Sequence, residues 1–161
     1  IENVNSYPED MTGKKVVVIG GGAVGLDVVE FFAPRGAQTA IVEMLPAIGN
    51  GIDPVSKVGT FALMDKYGVR QMPNTALKEV RPDSFLVETK EGMEELPFDY
   101  GFVCLGMKAN APVLDEIREA FADDSSVEIV NIGDSVRARR IIEGTDEGRN
   151  ILNTLEKRSF L

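Results

Sequence analysis

An apolar, β-branched run, Lys14-Lys15-Val16-Val17-Val18-Ile19, feeds straight into three glycines, Gly20-Gly21-Gly22. These open into Ala23-Val24-Gly25-Leu26-Asp27-Val28-Val29-Glu30-Phe31-Phe32. The first segment has the composition of a strand buried on both faces, and the last carries apolar residues at helical spacing. A strand, a glycine turn and a helix in that order leave few folds open. Gly20, Gly22 and Gly25 form a G-x-G-x-x-G, with Gly21 completing the loop. Alone, that pattern is weak evidence; between a strand and a helix each glycine acquires a physical task. Gly20 allows a tight turn, Gly22 lets backbone approach a pyrophosphate, and Gly25 lets the helix pack close to the strand. The N–H groups of the helix start, at Ala23 and Val24, then offer unpaired donors and a partial positive charge to phosphates.

The acidic partner of this motif is also present. Thr39-Ala40-Ile41-Val42 reads as a second strand and ends on Glu43, close to the 20-residue spacing at which a carboxylate meets the ribose of a bound dinucleotide. That carboxylate accepts hydrogen bonds from ribose hydroxyls and repels a 2′-phosphate. The residues that follow, Met44, Leu45 and Pro46, supply no cation. The pattern favours NAD(H) over NADP(H), while FAD, whose adenosine ribose is also unphosphorylated, stays open. Taken by itself, Glu43 is equally well an ordinary strand-end acid.

With 161 residues, 43% of them hydrophobic, the chain suits one α/β domain with a core. A net charge of −9 argues against a nucleic-acid footprint and against attraction to anionic membrane, Arg137-Ala138-Arg139-Arg140 being a local exception. No apolar stretch has transmembrane length and no signal peptide is visible, so a cytoplasmic chain is expected. One cysteine and no histidine exclude intrachain disulfides, histidine catalysis and a His/Cys metal site within this chain. Cys104, inside Phe102-Val103-Cys104-Leu105, is expected to be a buried core thiol rather than a redox group.

Residues 1–13 are polar, contain Pro8 and read as a linker. The start on Ile1 rather than Met suggests a piece of a longer polypeptide. Pro34 and Gly36 close the first helix. Asp53-Pro54 starts a second, running to about Tyr67 with Gly68 behind it, and residues 69–72 form a short strand. Short strands at 77–80, 85–89 and 94–98, divided by Pro82-Asp83 and Glu91-Gly92, predict an antiparallel meander over about 75–98. Tyr100 to Leu105 returns as a core strand ending at Gly106. A helix follows over 112–121, a strand over 127–132 ending at Gly133-Asp134, and a last helix from 139 or 141 to about 156. The strand over 127–132 is expected to add to the sheet beside Tyr100 to Leu105 or to pair with another copy of the chain, since an unpaired strand leaves its backbone groups bare. The expected fold is α/β: a Rossmann-like parallel sheet with helices on both faces and an antiparallel β-meander insertion.

Several segments together resemble the flavoprotein pyridine-nucleotide reductases that carry two dinucleotide-binding domains. Residues 13–27 look like their NAD(P) domain rather than their FAD domain, because Ala23-Val24-Gly25 stands where FAD domains usually have Pro-Ala-Gly. An acid two residues past the last glycine, here Asp27, is typical of the NAD domain. Phe102 to Gly106, followed by Asn110, resembles the strand and glycine that close that domain. Val127 to Asp134 resembles the motif whose Asp bonds the FAD ribityl chain. A narrower similarity, through residues 41–49 and 133–142 with Glu147-Gly148, is to the 2-enoate reductase and 2,4-dienoyl-CoA reductase group, which is Old Yellow Enzyme-like. A helical His common in the C-terminal motif of that group is missing here.

The resemblance implies a division of 14–121 as an NAD(H)-binding domain and 122–161 as the end of an FAD-binding domain. It implies hydride passing from NADH to FAD and, through an iron–sulfur cluster and FMN elsewhere in the parent protein, to an activated C=C bond. Gly20, Gly21, Gly22, Ala23, Val24 and Gly25 would shape the phosphate loop, Glu43 would hold the ribose, Asp27 would help place the nicotinamide, and Gly106 would let the cofactor cross a strand end. Asp134 would touch FAD only with the rest of that domain present; in this chain capping or solvent exposure is expected. No residue is expected to be catalytic. The partners implied are the dinucleotide and the remaining domains, with a homodimer left open and no nucleic acid or membrane. The competing readings are a stand-alone FAD- or NAD-binding domain and a regulatory interaction module without catalysis.

Overall fold

The computed structural model describes residues 6–110 and 112–153. The first residues of the expected linker and the end of the expected last helix lie outside them. The chain divides into two compact units, Ile1–Gly106 and Met107–Leu161.

In the first unit, β1 (Lys15–Ile19), α1 (Ala23–Phe32), β2 (Gln38–Val42), α2 (Pro54–Lys66) and β3 (Arg70–Met72) precede three meander strands. These are β4 (Ala76–Val80), β5 (Ser84–Thr89) and β6 (Gly92–Pro97); β7 (Tyr100–Val103) follows. Four strands form a parallel sheet in the order β3-β2-β1-β7, and β4-β5-β6 form a separate antiparallel sheet. The α/β fold is the one expected, with the meander inserted before the last strand of the parallel sheet.

The period-2 alternation of β1 explains why its whole run is apolar. Val16 and Val18 join Leu26, Val29 and Phe32 of α1 and Met64 of α2 in one core. Val17 and Ile19 point the other way, into a core with Val42, Met72 and the meander residues Phe85, Val87 and Leu96. Helices α1 and α2 therefore cover one face only; the second, where helices were also expected, is covered by the antiparallel sheet, whose Phe85, Val87 and Leu96 supply the apolar surface a helix would have brought. The helix starts and stops follow local chemistry. Asp53 caps α2, its Oδ1 accepting the N–H groups of Val55 and Ser56 at 3.1 and 2.9 Å. A 3₁₀ turn, Ala33–Arg35, with Pro34 inside it ends α1.

The segment before β1 does more than connect. Met11 is fully buried in the α1 core, and its N–H donates to the Arg35 carbonyl at 2.8 Å. Tyr7 lies edge-on to Phe31, Phe32 and Tyr100.

The second unit contains α3 (Pro112–Ala120), a 3₁₀ turn over Gly133–Ser135 and α4 (Ile141–Arg149). Here one expectation is overturned. Residues 127–132 form no strand and join neither sheet, and β7 is the edge of the parallel one. The expected addition beside Tyr100 to Leu105 is therefore not made. β-branched composition favours a strand only where a partner supplies a ladder, and the local segment closes a turn instead, Val127 N–H donating to the Asp124 carbonyl at 3.2 Å.

Phe85 is 2% exposed and anchors the meander to the parallel sheet. Phe85→Ala should destabilise the first unit by about 3–5 kcal/mol, read from urea unfolding. Three carboxylates on this unit should make stability pH-dependent. Glu94 is held below its ordinary 4.5 by the paired Arg70 guanidinium. Glu95 is held down by the Ser84 hydroxyl and then Arg81. Asp99 is held below 3.8 by the Lys15 N–H and then the Lys14 ammonium. Each titrates lower folded than unfolded, so its contribution is complete above its ordinary value and is lost as pH falls through the lowered one. Thermal midpoints should stay level near neutrality and drop below about pH 4.5, and Glu95→Gln should flatten part of that drop.

Candidate functional site

The glycine turn is where β1 and α1 come closest. Gly20 has φ +109, and a Cβ there would lie 2.3 Å from the Cys104 carbonyl oxygen. A Cβ on Gly25 would lie 1.9 Å from the Gly20 carbonyl oxygen, so only glycine allows α1 to sit this low over the strand end. At Gly22 the situation is reversed. Its backbone is extended as the N-cap of α1, and nothing lies within 4 Å of where a Cβ would be.

That helix start is electrostatically bare. It has no side-chain cap and no acid in its first turn, and its own ladder begins with Leu26 N–H donating to the Gly22 carbonyl at 3.0 Å. Its first N–H groups thus face outward at the positive end of the helix dipole, in a place suited to an anion. Ala23 and Val24 are exposed there.

Glu43 stands just past β2 and is half-buried. Its Oε2 accepts the Gly21 N–H at 2.7 Å and its Oε1 accepts the Leu45 N–H at 2.8 Å. The backbone of Glu43 is pinned as well: its N–H donates to the Met72 carbonyl and its carbonyl accepts from Thr75 N–H, both at 2.9 Å. A carboxylate has about four lone-pair directions, so the two backbone bonds leave acceptor capacity for a further donor.

These groups meet in a cleft of about 480 Å³. It opens at the C-terminal ends of β1, β2 and β7, where Ile19, Val42 and Cys104 line it together with Gly20, Gly22, Glu43 and Gly106. In the strand order β3-β2-β1-β7 the chain winds one way from β1 and then returns to its other side, so the cleft lies at the switch point where open parallel sheets take ligands. Leu105 lines it beside Cys104, and Met44, Leu45, Asn50, Thr75, Ala76 and Leu77 form the rest of the wall. None carries a motif. They could have been found only by asking which residues follow each strand end and which begin the meander.

Gly21 and Gly25 are buried in the packing behind the cleft rather than lining it. Asp27 is exposed on α1 and does not line the cleft. Asp134 belongs to the second unit, where it is exposed and its Oδ1 accepts the Arg139 N–H at 3.1 Å. Cys104 is half-buried rather than fully buried: it packs against the α1 core and also lines the cleft, and burial pushes its thiol above the ordinary 9.0.

A second cavity, of about 500 Å³, lies at the opposite ends of the strands among Lys15, Gly36, Gln38, Tyr67, Arg70 and Pro97. The charge of Arg70 there is taken up by Glu94, and the C-terminal turn of α1 presents the negative end of its dipole. Lys15 also lines this cavity, so it is the helix dipole, and not the balance of side-chain charge, that favours an anion at the first cleft. Among the described residues no three His, Cys, Asp or Glu side chains are grouped to hold a metal ion, and no helix is long and apolar enough to cross a membrane.

A parallel sheet with a glycine-lined cleft at its switch point and a bare helix start beside it is the arrangement in which open α/β sheets take anionic ligands. Residues 1–131 match the family described as pyridine nucleotide-disulphide oxidoreductase, and the chain belongs to that family. Bilirubin reductase of Mediterraneibacter gnavus is 30% identical over 148 residues, which is 91% of this chain and 22% of that protein. NADH oxidase of Thermoanaerobacter brockii is 29% identical over 136 residues, 84% of this chain and 20% of that protein. The chain thus spans about a fifth of the length of these relatives. Solved structures that share the fold include the following two. The 2-naphthoyl-CoA reductase in complex with 2-naphthoyl-CoA gives a TM-score of 0.64 at 23% identity, covering 89% of this chain and 21% of that one. Histamine dehydrogenase from Rhizobium sp. 4-9 gives 0.66 at 18% identity, covering 89% and 24%.

Gly25→Ala tests the close crossing. The added methyl meets a backbone oxygen that cannot rotate away, so destabilisation should reach about 3 kcal/mol or more by urea unfolding, against a far smaller loss for Gly22→Ala, whose methyl enters open space.

Proposed function

We propose that this chain is the NADH-binding module of a longer flavin oxidoreductase, which passes hydride from NADH to FAD and onward to reduce an activated C=C bond of the enoate or enoyl-CoA type. The observation that carries the reading is the bare start of α1 opening, with Gly22 and Glu43, on one cleft at the switch point of the sheet. Membership of a pyridine-nucleotide oxidoreductase family supports it, as do relatives named as an NADH oxidase and a bilirubin reductase. The naphthoyl-CoA reductase among the structural neighbours is in keeping with a CoA thioester as the final acceptor.

The donor set fits a dinucleotide: unpaired N–H groups for the pyrophosphate, open space over Gly22 for its approach, and a fixed carboxylate for the ribose hydroxyls. When bound, the dinucleotide supplies a hydride, and a flavin held by the parent protein accepts it. The share of this chain is binding and orientation. Gly20, Gly21, Gly22 and Gly25 shape the loop, and Ala23 and Val24 contribute helix-start donors. Glu43 takes the ribose hydroxyls and disfavours a 2′-phosphate. Gly106, on the cleft wall with φ +82, leaves the passage across the end of β7 free of a side chain. Asp27, exposed on α1 outside the cleft, would act only on a nicotinamide held against the flavin of the complete protein, and Asp134 on that flavin. In this reading residues 14–121 make the NAD(H) domain and 122–161 the end of an FAD domain. FMN and an iron–sulfur cluster belong elsewhere in the parent, since one cysteine and no histidine give this chain no ligand set for a cluster.

Titration calorimetry of the isolated chain should give an NADH dissociation constant of roughly 10–1000 μM, weak because part of the site lies outside it, with NADPH weaker still and no turnover. Glu43→Arg should weaken NADH and raise the affinity of NADPH relative to it. Equal or tighter NADPH binding by the wild type, or an unchanged ratio in the variant, counts against the ribose role. Absence of any dinucleotide binding at millimolar concentration sinks the module reading.

A further inference from the structure

The bonds of Glu43 point to a second task for this side chain, one that rests on the nucleotide-binding reading above but not on contact with a ribose. We propose that Glu43 is the positioning residue of the phosphate loop, a clamp that ties the glycine turn to the β2–α2 loop before any nucleotide arrives.

Three contacts build the clamp. Glu43 Oε2 takes the Gly21 N–H at 2.7 Å, and Glu43 Oε1 takes the Leu45 N–H at 2.8 Å. The Gly21 carbonyl accepts the Gly49 N–H at 2.7 Å. Gly21 is therefore held by both its backbone groups, one to each end of the 43–49 segment. The fit is tight: a Cβ on Gly21 would come within 3.1 Å of Glu43 Cβ and Oε2 and 3.2 Å of Ile48 Cγ2. Ile48 is itself buried in the α1 core, so the outer loop is anchored to the same helix whose start faces the cleft.

Two consequences follow from charge and geometry. Hydrogen bonds to an ionised carboxylate are the stronger kind, and with both oxygens committed to backbone donors the group is not free to rotate out of the cleft. A free glutamate could swing aside for a 2′-phosphate, whereas a clamped one meets it with a full negative charge. The clamp thus turns an ordinary acid into a fixed discriminator. It also directs the outward N–H groups of Ala23 and Val24 by holding the turn that precedes them.

The test separates clamp from ribose acceptor. In the wild-type chain, the amide protons of Gly21 and Leu45 should be protected from solvent exchange and show scalar coupling across their hydrogen bonds to the Glu43 side-chain carboxyl carbon. In Glu43→Ala those two amides should exchange with solvent roughly tenfold faster or more, while amides of Val18 and Ile41 hold steady. The decisive probe is 2′,3′-dideoxy-ADP, which keeps the pyrophosphate but has no ribose hydroxyl for Glu43 to accept. Its affinity should fall several-fold in Glu43→Ala. A pure ribose acceptor leaves that affinity unchanged, or raises it by removing a like charge. Amides of Gly21 and Leu45 that exchange freely or show no coupling to the carboxyl carbon in the wild type, or an unchanged or tighter dideoxy nucleotide in the variant, overturn the clamp. Should Glu43→Ala fail to fold, Glu43→Gln takes its place for the nucleotide measurement, and the wild-type amide couplings decide whether the bonds form. If the wild type binds neither NADH nor the dideoxy nucleotide, the nucleotide reading fails, and the amide measurements still judge the clamp separately.

Discussion

The backbone of Gly25 rests against the carbonyl of Gly20, with no room for a single carbon between them. That contact sets how low α1 lies over the end of β1, and much else in the first unit depends on it. A helix held further out could not bury Leu26, Val29 and Phe32 against Val16 and Val18. It would also carry its N-terminal N–H groups away from the cleft. The glycine at this position is thus both a packing residue and the reason the site has a donor end.

The two faces of β1 then divide the labour. One alternate set of side chains is roofed by helices, the other by the antiparallel meander, so the parallel sheet is covered on both sides as its continuous apolar runs require. Covering both faces leaves the strand ends as the place where backbone and polar groups meet solvent. At one set of ends the start of α1 supplies positive potential; at the other its last turn supplies the opposite sign, and Arg70 is already engaged by Glu94. The two clefts are of similar size, and the direction of the α1 dipole is what distinguishes them.

Much of the fold was legible in the chain. Strong periodicity and clear punctuation marked β1, α1, β2, α2 and the three meander strands to within a residue or two, since Gly, Pro and Asp-Pro act locally. Residues 127–132 were misread for a reason equally physical. Val, Ile and Val promise a strand, but a ladder is a property of two segments, and the described residues offer this one no partner. The apolar run around Cys104 points to a core thiol, and it does pack against the α1 core; its place just past β7 also leaves it on the cleft wall. The walls from Met44 to Leu77 were not legible at all, because nothing in Thr75 or Leu77 announces that the meander begins beside β2.

By itself, the sequence determined the order of strand, glycine turn and helix, the acid after β2 and the alternation that makes both faces of β1 apolar, because these depend on near neighbours and on φ freedom at single residues. Only the tertiary structure decided that the meander roofs the second face, that Asp27 faces solvent outside the cleft, and that both oxygens of Glu43 are bound to backbone N–H groups at Gly21 and Leu45. Those outcomes turn on groups distant in the chain arriving within bonding range, and the spacing of residues alone carries no record of such distances.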